Sequence, residues 1–156
     1  MFAKYDMTED YNNTYWQLVE KYHLKDKMMQ YGKNIALQGE IIGEGIQKNK
    51  YGIKGHKIVL FSAYDIDSHR HMNFAQLQEI ATLFEMEIVP VIQTHAILPD
   101  SVDALVNMAH GNSQLLPSIL REGIVIRSMQ EQYDADLYGR LSFKVIDPLF
   151  LLKHGE

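Results

Sequence analysis

Apolar positions at helical spacing open the readable pattern. Tyr15, Trp16, Leu18, Val19 and Tyr22 lie within residues 11–31, which predicts one helix or two short ones. Asn12 or Asn13 suits the start as a cap, and Gly32 suits the stop. Residues 35–42 then read as a strand. Five glycines fall from Gly39 to Gly55 and mark a turn-rich connection. Residues 56–67 carry β-formers on both faces, through Ile58, Val59, Leu60, Phe61, Ala63, Tyr64 and Ile66, and predict a second strand. Asn73 caps a helix that runs to about Phe84, with Gln76 placed for a capping box. Glu87 to Gln93 reads as a short strand in which Pro90 points to an edge or a bulge. Asp100 is placed to cap a helix over Ser101 to His110, ended by Gly111. Two strands follow, over residues 122–128 and 141–147, with a polar stretch between them. An apolar tail, 149–153, is read as helical. Helices alternate irregularly with strands of antiparallel character, so the expected class is α+β: antiparallel sheets with flanking helices.

Composition narrows the function classes. With 156 residues, 46% hydrophobic and 22% charged, the chain reads as one globular domain able to bury its own core. Apolar runs are too short for a membrane span, and charged residues interrupt any early apolar region of signal-peptide type. The absence of cysteine excludes disulfides and thiolate chemistry, and the expected location is cytoplasmic. A net charge of −5 argues against a broadly basic surface that coats nucleic acid. Locally the sign reverses: Lys48, Lys50, Lys54 and Lys57 cluster with His56. The general tendency of charge runs points to a solvated hairpin tip; a phosphate-contacting loop is the alternative. His69-Arg70-His71 is read as a surface turn ahead of a metal site. The glycines match neither the Walker loop nor the dinucleotide fingerprint.

Three charged residues stand in apolar, β-branched strand runs, where an unpaired charge is costly to bury. They are Glu40 in Gln38-Gly39-Glu40-Ile41-Ile42-Gly43, Glu122 in Glu122-Gly123-Ile124-Val125-Ile126-Arg127, and Lys144 in Ser142-Phe143-Lys144-Val145-Ile146. Singly, each acid reads as an exposed strand carboxylate. Together, two acids and one base suit a nucleotide: carboxylates for sugar hydroxyls and a divalent metal, an ammonium for phosphate.

In this order the segments resemble motifs III, IV and V of the ATP-dependent RNA ligases, within the covalent nucleotidyltransferases. Residues 38–49 resemble motif III and its following loop, and Ile58 to Ile66 resembles motif IIIa. The resemblance runs through about residues 35–147 and implies part of a nucleotidyltransferase domain that uses ATP or AMP with Mg²⁺ or Mn²⁺. It implies that Glu40 holds the ribose hydroxyls and Phe61 stacks on adenine. It implies that Glu122 positions the metal, and that Lys144 contacts the nucleotide phosphate and assists lysine adenylylation. An aromatic in a strand is otherwise a core residue. The implied partners are RNA 5′-phosphate and 3′-hydroxyl ends. Such enzymes begin with attack of a lysine in Lys-x-Asp-Gly on the ATP α-phosphate. That string is absent; the nearest is Lys4-Tyr5-Asp6-Met7, and Ser142 takes a position that is lysine in some relatives. The expectation is a shortened member, inactive alone, that requires a complementing N-terminal fragment or pairs with a second copy through uncovered strand edges. The alternative is a non-catalytic module that binds nucleotide or RNA ends.

Overall fold

The chain is described from a computed structural model that covers residues 13–154. These residues divide into two compact units, 13–70 with 78–88, and 71–77 with 89–154.

In the first unit two short helices, α1 (Thr14–Lys21) and α2 (Leu24–Tyr31), are separated where His23 takes a left-handed conformation, φ 51°. The Asn13 side chain accepts from the Tyr15 N–H at 2.8 Å and starts α1, while Gly32, φ 68°, ends α2. Asn12, the other cap candidate, lies outside the described residues. Strands β1 (Ile35–Gly43) and β2 (His56–Asp65) pair antiparallel. A two-residue strand, β3 (Arg70–His71), follows the next turn. Helix α3 (Phe74–Leu83) brings Ile80, Ala81 and then Phe84 into the core with Leu18, Val59, Leu60 and Ala63. Tyr31 meets the Phe84 ring edge-on at 5.8 Å. The Lys27 ammonium donates to the Phe84 carbonyl at 2.7 Å and to Glu85 at 2.8 Å, a cation at the negative end of a helix.

Strand β4 is Glu87–Ile88 only, parallel to Val59–Leu60. The strand expected to reach Gln93 therefore stops early. Pro90 has no N–H for the ladder, and Val91 and Ile92 stand exposed, so neither hydrogen bonding nor burial rewards extension.

In the second unit Asn73 and Gln76 form the expected box: the Asn73 N–H donates to the Gln76 side chain at 2.9 Å, and the Gln76 N–H to the Asn73 side chain at 3.0 Å. Helix α4 (Val102–Ala109) is capped by Ser101, whose hydroxyl accepts from the Ala104 N–H at 3.3 Å. The cap is thus one residue later than Asp100. Strand β5 (Gly123–Arg127) pairs antiparallel with β8 (Ser142–Ile146), and α4 packs against both. The polar stretch between them holds an unexpected hairpin, β6 (Tyr133–Asp134) and β7 (Gly139–Arg140). It is too short to show alternation; an Asp134 carboxylate accepting from the Asp136 and Leu137 N–H groups at 2.9 and 3.0 Å makes its turn. Asp147 and Pro148 then start α5 (Pro148–His154), which buries Phe150. Among the described residues, no helix is long and apolar enough to cross a membrane.

Phe84 is fully buried and touches both α2 and the end of α3. Truncation of a buried aromatic costs about 3–5 kcal/mol. Phe84→Ala is expected to lower unfolding free energy by that amount in urea titration, and a loss below about 1 kcal/mol would contradict this core assignment.

Candidate active site

Glu40 lies on β1 opposite Val59, one residue after a register shift between Gln38 and Gly39. Gln38 faces Ser62 and Gly39 faces Leu60, so the pairing skips Phe61. That is a β-bulge, a device that re-aims side chains. A Cβ on Gly39 would lie 2.7 Å from the Val59 carbonyl oxygen and 2.8 Å from the Ile58 side chain, so glycine is what permits the approach. Glu40 is exposed, whereas Phe61 is only partly exposed between buried Leu60 and Ser62.

The second unit repeats the theme at Glu122-Gly123. A Cβ on Gly123 would lie 2.1 Å from the Val145 carbonyl oxygen, a closer clash than at Gly39. Glu122 is anchored from both sides. Arg121, its predecessor, donates to the carbonyls of Met108, Ala109 and His110 at 2.7, 2.8 and 2.7 Å. These carbonyls end α4, where a cation is favoured. The Glu122 carbonyl accepts from the Asp147 N–H at 2.8 Å. Asp147 is itself buried, accepts from the Leu149 N–H at 3.0 Å, and lies 3.0 Å from His110 Nδ1.

Lys144 stands opposite Val125 on β8. Its ammonium meets the Glu122 carboxylate at 2.8 Å, with the two side chains 59% and 45% exposed. The structure therefore brings Glu122 and Lys144 together within one unit, and places Glu40 and Phe61 on paired strands of the other. Among the described residues, no three His, Asp or Glu side chains converge as a metal cage. Glu122 would have to share a metal with other oxygen donors.

A cluster beside β5 lies outside the charged residues that the sequence motifs single out. Arg140 and Glu131 form a two-pronged ion pair across the hairpin, with Nε to Oε2 at 3.2 Å and Nη2 to Oε1. Arg127, opposite Ser142 in register, is half-buried near both. Burial first, then the Arg140 charge, lowers the Arg127 pKa. His71 belongs to the same group, its pKa pushed below the ordinary 6.5 by burial first and then by Arg140. The surface-turn reading holds for His69, φ 51° in a turn, but His71 is drawn in. The signal available in the sequence was Arg127, a charge at the end of the apolar run Gly123-Ile124-Val125-Ile126; its neighbours come from pairings across the chain.

A histidine with a depressed pKa stays neutral when folded while the unfolded chain takes up a proton. Its contribution is complete above about 6.5 and is lost as pH falls through the lowered value. The melting temperature is expected to fall between pH 7.5 and pH 5.5, and His71→Asn is expected to fall less over the same interval. Identical pH dependence in both proteins would remove His71 from the balance.

A sequence model described as RNA ligase matches residues 4–146. No curated protein sequence matches the chain. Among solved structures, a substituted Naegleria gruberi RNA ligase with ATP and Mn superposes with a TM-score of 0.85 at 29% identity, covering 97% of this chain and 44% of that one. The Naegleria gruberi enzyme with PPi gives 0.81 at 31% identity, covering 94% and 42%. Another substituted form, with AMP and Mn, gives 0.83 at 29%, covering 97% and 44%. The chain thus spans less than half the length of these solved relatives. The α+β architecture, with antiparallel pairs flanked by helices, is that of a partial RNA ligase nucleotidyltransferase domain. With the family match spanning nearly the whole sequence, this chain belongs to the RNA ligase family.

Proposed function

We propose that this chain forms the adenine-nucleotide-handling part of an ATP-dependent RNA ligase that acts on RNA 5′-phosphate and 3′-hydroxyl ends. The observation that carries the reading is the Lys144–Glu122 pair at 2.8 Å. A carboxylate and an ammonium, both reachable from solvent and each seated on a fixed backbone, are the donor types that a nucleotide phosphate and its metal require. Lys144 takes the phosphate, and Glu122 supplies an oxygen to Mg²⁺ or Mn²⁺. Glu40 accepts from ribose hydroxyls, and the flat ring of Phe61 stacks on adenine. The solved Naegleria gruberi relatives with ATP or AMP and Mn support this choice of ligand. A bound divalent cation would neutralise phosphate charge; the chain's own residues bind and orient.

Strand joining by this route needs a nucleophilic lysine, and the sequence has no Lys-x-Asp-Gly. The purified polypeptide, incubated with radiolabelled ATP, is expected to gain no acid-labile covalent label. Label on the protein would overturn that expectation, and Lys4 would be the first residue to replace. The same absence favours a second reading, a module that binds nucleotide or RNA ends without catalysis.

Binding is tested separately. Calorimetric titration with ATP and Mn²⁺ is expected to show weak affinity that Lys144→Ala reduces roughly ten- to a hundredfold, since a charge-assisted contact is worth about 1.5–3 kcal/mol. Equal affinities, or no heat from either protein, would count against the nucleotide reading.

A further inference from the structure

The connection between β1 and β2 holds its shape through its own backbone and one asparagine. The Glu44 N–H donates to the Gly55 carbonyl at 3.0 Å and closes the base. Near the tip, the Asn49 side chain donates to the Ile53 carbonyl at 2.9 Å and accepts from the Ile53 N–H at 3.1 Å. The Gly52 N–H returns to the Asn49 carbonyl at 3.0 Å. Lys48 and Lys50 flank Asn49, and Lys54 adjoins Ile53, so all three lysines are attached to the same clasp. Lys48 and Asn49 hold left-handed backbone, φ 61° and 45°, a conformation costly for such residues and maintained here by the surrounding bonds.

Charge around this clasp is one-sided. From Gly45 to Tyr64 the sequence contains no Asp or Glu, although the chain as a whole is at −5. Lys57 lies on β2 rather than on the clasp, where it pairs with Glu87 at 2.6 Å. Another cation joins at the base, where the Lys21 ammonium donates to the His56 carbonyl at 2.7 Å. Glu44 is the opposing charge nearby, at the base rather than the tip.

We propose that the Asn49–Ile53 clasp is a docking surface for the RNA strand, with Lys48, Lys50 and Lys54 contacting backbone phosphates. The inference rests on the RNA half of the proposed function. Charge without apolar anchorage is the signature of phosphate contact. Among the described residues, none of the large exposed apolar side chains falls between residues 30 and 65. A protein partner would need such anchors, and stable attachment to a membrane would need a second signal beside three lysines.

The test is fluorescence anisotropy with a labelled, 5′-phosphorylated RNA oligonucleotide over a range of salt concentrations. Replacing Lys48, Lys50 and Lys54 together by Ala is expected to weaken binding at least tenfold at low salt. The plot of log affinity against log salt should become shallower by about 2, at roughly 0.7 for each phosphate of a single strand that is no longer neutralised. The corresponding triple arginine variant is expected to retain affinity and slope. Circular dichroism checks folding; should the alanine triple misfold, the single exposed-site variant Lys54→Glu is expected to give a weaker loss in the same direction. Unchanged affinity and slope in the charge-removing variants would overturn the proposal. So would absence of RNA binding by the native chain, or, in parallel sedimentation with phosphatidylserine vesicles, a loss seen with the vesicles and not with RNA. ATP titration is run in parallel: it is expected to be unaffected by the loop variants, and a flat ATP titration of the native chain would sink the nucleotide reading without touching the RNA result.

Discussion

Neighbouring backbone comes so close to Gly39 and Gly123 that neither position has room for a side chain: a Cβ would lie 2.7 Å from one carbonyl oxygen and 2.1 Å from the other. Glycine in a strand ordinarily costs conformational entropy and packing. Here each glycine lets a strand pair close, and each adjoins a carboxylate, Glu40 or Glu122. The acid inherits the rigidity of the ladder beside it. At β1 the same place carries the register shift that skips Phe61, so one local irregularity determines where an acid and an aromatic leave their strands.

Two ion pairs of the second unit divide the labour between readiness and structure. Lys144 and Glu122 are about half-exposed, and such pairs add little to stability, typically about 0–1 kcal/mol. Their positions therefore come from backbone hydrogen bonds and the glycine contact rather than from mutual attraction. Exchanging one partner for a phosphate or a metal costs the fold little. Arg140 and Glu131 are four-fifths buried and doubly bonded. Removing one would strand a largely desolvated charge, which makes that pair a fastening for the hairpin between β5 and β8.

Much of this was legible in the sequence where local chemistry decides structure. Asn13, Gly32 and the Asn73–Gln76 box mark helix ends through bonds made within a few residues, and the four long strands show in runs of β-formers. The misses have separate causes. Strand β4 ended early because Pro90 and the exposure of Val91 and Ile92 outweighed β propensity. The helix cap fell on Ser101 because neighbouring Asp and Ser are equivalent in sequence and differ only in backbone geometry. The hairpin of β6 and β7 and the Arg127–Arg140–Glu131–His71 cluster depend on pairings across the chain that no single-segment periodicity carries. Among the candidate site residues, the spacing marked Glu40, Glu122 and Lys144 as charges out of place. It did not reveal that Lys144 and Glu122 meet, or that Arg121 is what steadies Glu122.

That last relation explains why arginine precedes the acid. Successive side chains of an extended segment leave on opposite sides, so the dipeptide Arg121-Glu122 works in two directions at once. Arg121 gathers three carbonyls at the end of α4, while Glu122 reaches Lys144 on β8. Helix ends leave their last carbonyls without helical partners. One guanidinium with several fixed donors meets that need in a way a lysine ammonium, with its flexible stem, does not. Beside this anchor Gly111 holds φ 140°, a backbone region that favours glycine, and a Cβ there would lie 3.3 Å from the Arg121 guanidinium, displacing it by a few tenths of an ångström. The turn after α4 is thus shaped by the backbone of Gly111, and the Arg121 guanidinium packs directly against it while it holds the α4 carbonyls.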